Sequence, residues 1–102
     1  MKPSQLTATA SADVERAFEH YLAEAGSDTA ARWLDMVDAA LRHIARHPGT
    51  GSPRYAEQLG LPGLRFWLTD VFPYAVFYVE RETHTLIIRV LHQHADLPAH
   101  LT

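Results

Sequence analysis

A chain of 102 residues, 47% hydrophobic and 21% charged, has room for one hydrophobic core and the composition of a folded domain, which excludes intrinsic disorder and a fibrous class. Nine Lys and Arg against twelve Asp and Glu leave a formal net charge of −3, whereas a protein built to grip a phosphate backbone carries a positive excess, so sequence-specific nucleic-acid binding is not expected. There is no cysteine, hence no disulfide, thiolate nucleophile or thiolate metal site, and no apolar run approaches the roughly 20 residues of a membrane span. The first residues lack the apolar stretch of a signal peptide. One domain over residues 1–102, cytoplasmic and without a cofactor, is the expectation.

Residues 5–10 come first, with Leu6, Ala8 and Ala10 alternating with polar residues at the period of a strand. Ser11 is placed to cap a helix whose first turn carries Asp13 and Glu15, the charge sign favoured at that end. Val14, Ala17, Phe18, Tyr21, Leu22 and Ala25 then form one apolar stripe, and Gly26 ends the helix. Ser27 or Asp28 can cap a second helix, in which Ala30, Trp33, Leu34, Val37, Leu41 and Ile44 repeat the spacing until Pro48 stops it. The short gap between them implies an antiparallel hairpin.

Residues 48–62, rich in Gly, Pro and Ser, read as a connecting loop. Three strand-like runs follow, at residues 64–71, 74–80 and 86–91, and their short connections allow only antiparallel neighbours, hence a meander. The middle run is apolar at both parities, which marks a central strand covered on both faces. The elements together make a two-layer α+β domain, with a core expected from Phe18, Leu22, Trp33, Leu34, Val37, Leu41, Val76 and Tyr78. Strand periodicity places Arg65 with Trp67 and Thr69 on one face, and Arg89 with Ile87 and Leu91 on one face.

Few residues suggest chemistry. His92-Gln93-His94 puts two imidazoles on one side of a continuing strand, near Asp96, yet no motif fixes a third ligand. His43 and His47 are four apart on a helix, but Ile44 stands where a zinc protease needs its Glu. Gly49-Thr50-Gly51 is a turn, Asp35 and Asp38 describe a solvated helix face, and no serine sits in a nucleophile pattern. Arg65 and Arg89 interrupt apolar strands and carry two readings: internal ion pairs, or recognition of carboxylates on an incoming chain through arginine's planar fork, with Trp67 beside Arg65.

Pro62-Gly63-Leu64-Arg65, Val71-Phe72-Pro73-Tyr74-Ala75-Val76-Phe77-Tyr78 and Ile88-Arg89-Val90-Leu91-His92, with the helix end Ala45-Arg46-His47-Pro48 before Gly51, resemble the ParE branch of the ParE/RelE toxin superfamily. The family's closing Arg-Asp stands here as Ala95-Asp96. The resemblance implies a small curved antiparallel sheet, one N-terminal strand and three meander strands, packed against a two-helix hairpin. It implies the toxin of a type II toxin-antitoxin module, neutralised by an acidic, partly disordered ParD-like antitoxin, with Arg65, Trp67 and Arg89 as antitoxin-binding candidates. ParE-type toxins act on DNA gyrase, and RelE-type toxins cut messenger RNA on the ribosome. The RelE branch needs basic side chains, and its lysine positions fall near Phe66 and Leu68 and its arginine on Ala75, all apolar here. A gyrase poison that is not an enzyme is therefore the expectation, with His92, His94 and Asp96 as its target contacts and no metal site. A RelE-like nuclease is the alternative.

Overall fold

The computed structural model describes residues 2–95 and residue 99. Strand β1 (Ser4–Leu6) leads into helix α1 (Ala8–Ala25) and helix α2 (Ser27–Arg46). A five-residue helix α3 (Arg54–Gln58) follows, then strands β2 (Leu64–Leu68), β3 (Tyr74–Glu80) and β4 (Thr85–His92). The sheet order is β1-β4-β3-β2. The α+β architecture and hairpin are those the sequence implies, but the sheet is mixed: β2, β3 and β4 form an antiparallel meander, and β1 adds to β4 in parallel. Short connections dictate orientation only within the meander; β1 and β4 are joined through the whole helical hairpin, a connection long enough for either direction.

The first helix starts earlier than its sequence suggests. Thr7, not Ser11, is the cap: its hydroxyl accepts from the Ala10 N–H at 3.0 Å and donates to the Ile88 carbonyl at 3.0 Å. Ala8 and Ala10 thus belong to the helix, for which alanine has the best propensity, and their alternation carried no strand information. Gly26 alone separates α1 from α2, at φ +92°, a conformation that glycine adopts without a Cβ penalty, and neither Ser27 nor Asp28 caps α2 through its side chain.

Two apolar clusters lie on opposite faces of the sheet. Under the hairpin, Trp33, Val37, Ile44, Val76, Tyr78, Ile87 and Val90 are buried, with Phe18, Leu34 and Leu41 partly buried against them. Leu22, expected in this core, is 45% exposed; one residue earlier, the Tyr21 ring meets Trp33, Phe72 and Tyr74 and closes that end of the core, which leaves Leu22 at the solvent margin of the stripe. On the other face, Leu64, Ala75, Phe77, Val79 and Leu91 pack with Tyr55 and Leu59 from around α3. That helix stands where a loop was expected, because five residues between Pro53 and Gly60 are too few to display a helical period.

The register shifts between Phe77 and Tyr78, which face Arg89 and Ile87 respectively, so Ile88 is an inserted residue. The bulge reverses the side-chain parity of β4. Ile87 and Val90 join the hairpin core while Ile88 and Leu91 join the opposite cluster, so Ile87, Arg89 and Leu91 do not share one face as strict alternation implies.

The loop after α2 is held by a buried phenol. The Tyr78 hydroxyl donates to the Pro48 carbonyl at 2.8 Å and accepts from the Gly51 N–H at 2.8 Å, and Arg65 Nη1 donates to the Gly51 carbonyl at 2.7 Å. Burial raises the Tyr78 pKa above its ordinary value, against the opposing pull of the Gly51 N–H and Arg65. A Cβ at position 51 would stand 2.6 Å from the Tyr78 hydroxyl and 2.8 Å from the Phe66 carbonyl. Gly51→Ala is accordingly expected to destabilise the fold by about 1 to 3 kcal/mol through overpacking against a backbone oxygen, measured by urea denaturation.

Candidate functional site

The connection from β2 to β3 is unusually well fastened for an exposed turn. Buried Thr69 donates its hydroxyl hydrogen bond to the Phe72 carbonyl and accepts from the Tyr74 N–H at 2.9 Å. Gln93 closes the turn from β4, its N–H donating to the Pro73 carbonyl at 2.7 Å and its amide nitrogen reaching the carbonyls of Tyr74 at 3.2 Å and Thr69 at 3.3 Å. A turn held this way can present apolar side chains to solvent without collapsing onto the core. Val71 is 83% exposed and Leu68 47%.

Between this turn and α2 lies an open groove of about 560 Å³ whose floor and walls include Met36, His43, Trp67, Leu68, Val71 and Phe72. Arg32, Asp35 and Asp70 supply charge to the same groove. The Trp67 ring is stacked on His43, with centroids 4.4 Å apart, and His43 Nε2 lies 3.1 Å from the Thr50 hydroxyl, so the apolar floor is locked between β2 and α2. An exposed apolar groove with a charged rim is the anatomy of a protein-docking surface rather than of a reaction centre. Met36, Leu68 and Val71 escaped the sequence reading: Met36 sits beside the buried stripe of α2, and Val71 was assigned to a strand whose ladder stops at Leu68.

Both arginines have internal partners. Arg65 extends from β2 to the loop, donating to the Gly51 carbonyl and, at 3.4 Å, to the Gly49 carbonyl. Arg89 makes a bidentate pair with Asp13 of α1, Nε to Oδ2 at 2.8 Å and Nη2 to Oδ1 at 2.9 Å. These hydrogen bonds raise the Arg89 pKa, with burial opposing them. Asp13 also accepts from the Val90 N–H at 3.0 Å and from Arg16 at 2.9 Å. Here β4 has run past the end of β1, and α1 takes over the open edge with side chains: Thr7 on the Ile88 carbonyl, Asp13 on the Val90 N–H. The sequence placed Asp13 at the helix N-terminus; in the structure it is a buried anchor between α1 and β4.

His92 is the last residue of β4 rather than the start of a tail, and its ring meets Tyr74 edge-on at 5.3 Å. His94 lies beside it, ring centroids 5.0 Å apart, its N–H donating to His92 Nδ1 at 3.1 Å. Asp96 lies outside the described residues. Among the described residues no three His, Asp or Glu side chains converge as metal ligands would. Nor is there a cationic cluster where a nuclease reading needs one: Ala75 is fully buried and Phe66 packs against Tyr55 and Phe77.

The family described as "ParE toxin of type II toxin-antitoxin system, parDE" matches residues 5–97. Toxin ParE1 of Caulobacter vibrioides (strain ATCC 19089 / CIP 103742 / CB 15) is 33% identical over 101 residues, 99% of each chain. In fold, the chain is similar to a solved structure of the chromosomal ParDE TA system from P. aeruginosa, with a TM-score of 0.74 and 20% identity over 90% of this chain and 96% of that one.

Proposed function

This chain belongs to the ParE toxin family of type II toxin-antitoxin systems, and from that premise we propose that a ParD-like antitoxin neutralises it and that, once released, it poisons DNA gyrase in the cytoplasm. The family match along nearly the whole chain carries this reading. In support of an antitoxin partner, the similar fold from P. aeruginosa is described as a ParDE system. The groove between α2 and the β2–β3 turn suits the apolar side of an antitoxin helix, with Trp67 on its floor. Arg65 has donors beyond the one that holds the loop and can meet an antitoxin carboxylate with them, while Arg89 contributes through its pair with Asp13, which fixes the end of β4. Val71→Asp is expected to leave folding stability within about 0.5 kcal/mol, because the side chain touches little, and to weaken antitoxin binding by about 1 to 2 kcal/mol. Titration calorimetry beside a thermal melt separates the two effects.

Gyrase inhibition is a binding mechanism in this proposal: the toxin holds the gyrase-DNA cleavage complex, and gyrase performs the phosphoryl chemistry. His92 and His94, with Asp96, are the candidate contacts. In support, the positions that would carry cations for RNA cleavage are Phe66, Leu68 and Ala75, and the net charge of −3 gives no general attraction to ribosomal RNA. Purified toxin is expected to inhibit supercoiling stoichiometrically. The His92→Ala/His94→Ala double variant is expected to lose that inhibition while it still binds antitoxin. Sub-stoichiometric cutting of ribosome-bound messenger RNA, with supercoiling unaffected, overturns the assignment in favour of a RelE-like nuclease.

A further inference from the structure

A second cleft, of about 470 Å³, lies on the far side of α2, where that helix passes the outer edge of β1. Its lining combines the apolar Pro3, Leu41 and Ala45 with the charged Lys2, Asp38 and Arg42. What distinguishes it is the strand beside it. In a parallel ladder alternate residues bond inward and outward. The inward bonds here are Thr85 N–H to the Pro3 carbonyl and Thr7 N–H to the Ile87 carbonyl, and Gln5 lies between them, so Ser4 and Leu6 direct their N–H and C=O groups away from β4. Among the described residues nothing accepts from or donates to those outward groups.

This edge has the marks of a strand guarded against indiscriminate pairing but left usable. It is three residues long, preceded by Pro3, and Lys2 is fastened across the end of β3 by Glu80 at 2.8 Å and by the Arg81 carbonyl at 2.7 Å. The opposite edge of the sheet is largely taken: Phe66 of β2 exchanges both backbone bonds with Ser52, at 2.9 and 3.0 Å. Arg42 is exposed beside the β1 edge and makes no ion pair among the described residues, so with Lys2 against Asp38 the rim carries a positive excess.

We propose that the outer edge of β1 receives an extended segment of the antitoxin, which adds as a short outer strand, sets an apolar side chain on Leu41 and Ala45, and directs a carboxylate to Arg42. The inference rests on the antitoxin reading above and gives it a second contact, separate from the Trp67 groove. An acidic extended occupant fits on two counts: free backbone donors and acceptors require an extended chain, and the uncompensated guanidinium selects a carboxylate.

Amide hydrogen exchange tests this on the full chain, alone and co-purified with the antitoxin encoded beside it. The Ser4 and Leu6 amides are expected to exchange freely in the isolated toxin and to slow by about tenfold or more in the complex. Arg42→Glu, an exposed change that leaves the core untouched, is expected to speed dissociation of the complex by about tenfold. A complex that forms yet leaves both amides exchanging freely overturns this inference and leaves the antitoxin reading standing. Failure of any complex to form overturns that reading, and this inference with it. Protection that appears equally in the isolated toxin and rises with its concentration assigns the edge to a second copy of the chain, against the proposal.

Discussion

Asp13→Ala is expected to destabilise this protein by about 3 to 5 kcal/mol, because it leaves a half-enclosed guanidinium without its partner. The Asp13 side chain is 3% exposed and that of Arg89 15%. The carboxylate accepts from the Arg89 fork, from the Val90 N–H and from Arg16, so its removal strips donors from two chain segments that lie 76 residues apart. The effect is of one partner lost, not a measure of what the pair contributes. Replacing both ends, Asp13→Leu with Arg89→Met, is therefore expected to recover much of the loss, since burial of apolar side chains can replace a desolvated ion pair. Urea denaturation of the single and double variants checks both statements. Equal destabilisation in single and double variants would show that the backbone bond to Val90, rather than the charge pair, holds α1 on β4.

Trp33→Ala is expected to cost about 3 to 5 kcal/mol, the range for deleting a large buried aromatic. Trp33 is fully buried, stacks with Tyr21 at 6.0 Å and meets Tyr74 edge-on at 5.3 Å, so its loss opens the hairpin core where α1, α2 and β3 converge. Its indole N–H has no hydrogen-bond partner in that core. A buried donor without a partner is itself unfavourable. Trp33→Phe, which keeps most of the ring and removes the N–H, is expected to cost clearly less than the alanine change. A thermal melt in which the two variants lose equal stability would locate the contribution in the indole's outer ring rather than in aromatic packing. Leu34, in the same stripe but only partly buried, belongs below Trp33 in this ranking.

The sequence by itself determined the elements whose cause is local. Period and end signals mark the two helices, since Gly26 and Pro48 act through their own backbone, and Tyr74–Glu80 is legible because a run apolar at both parities has one solution in a small domain. The ordered set of motifs likewise carried the family, which the match over residues 5–97 bears out. Only the tertiary structure decided features that depend on what lies opposite. The parallel pairing of β1 came from a partner eighty residues away, the cap at Thr7 from a second bond to Ile88, and the place of Arg89 from one inserted residue that reversed parity in β4. The docking groove was illegible for the same reason. Val71 and Leu68 read as strand residues because apolar character signals burial in a sequence, and only the assembled sheet leaves them at its edge with nothing from the chain to cover them.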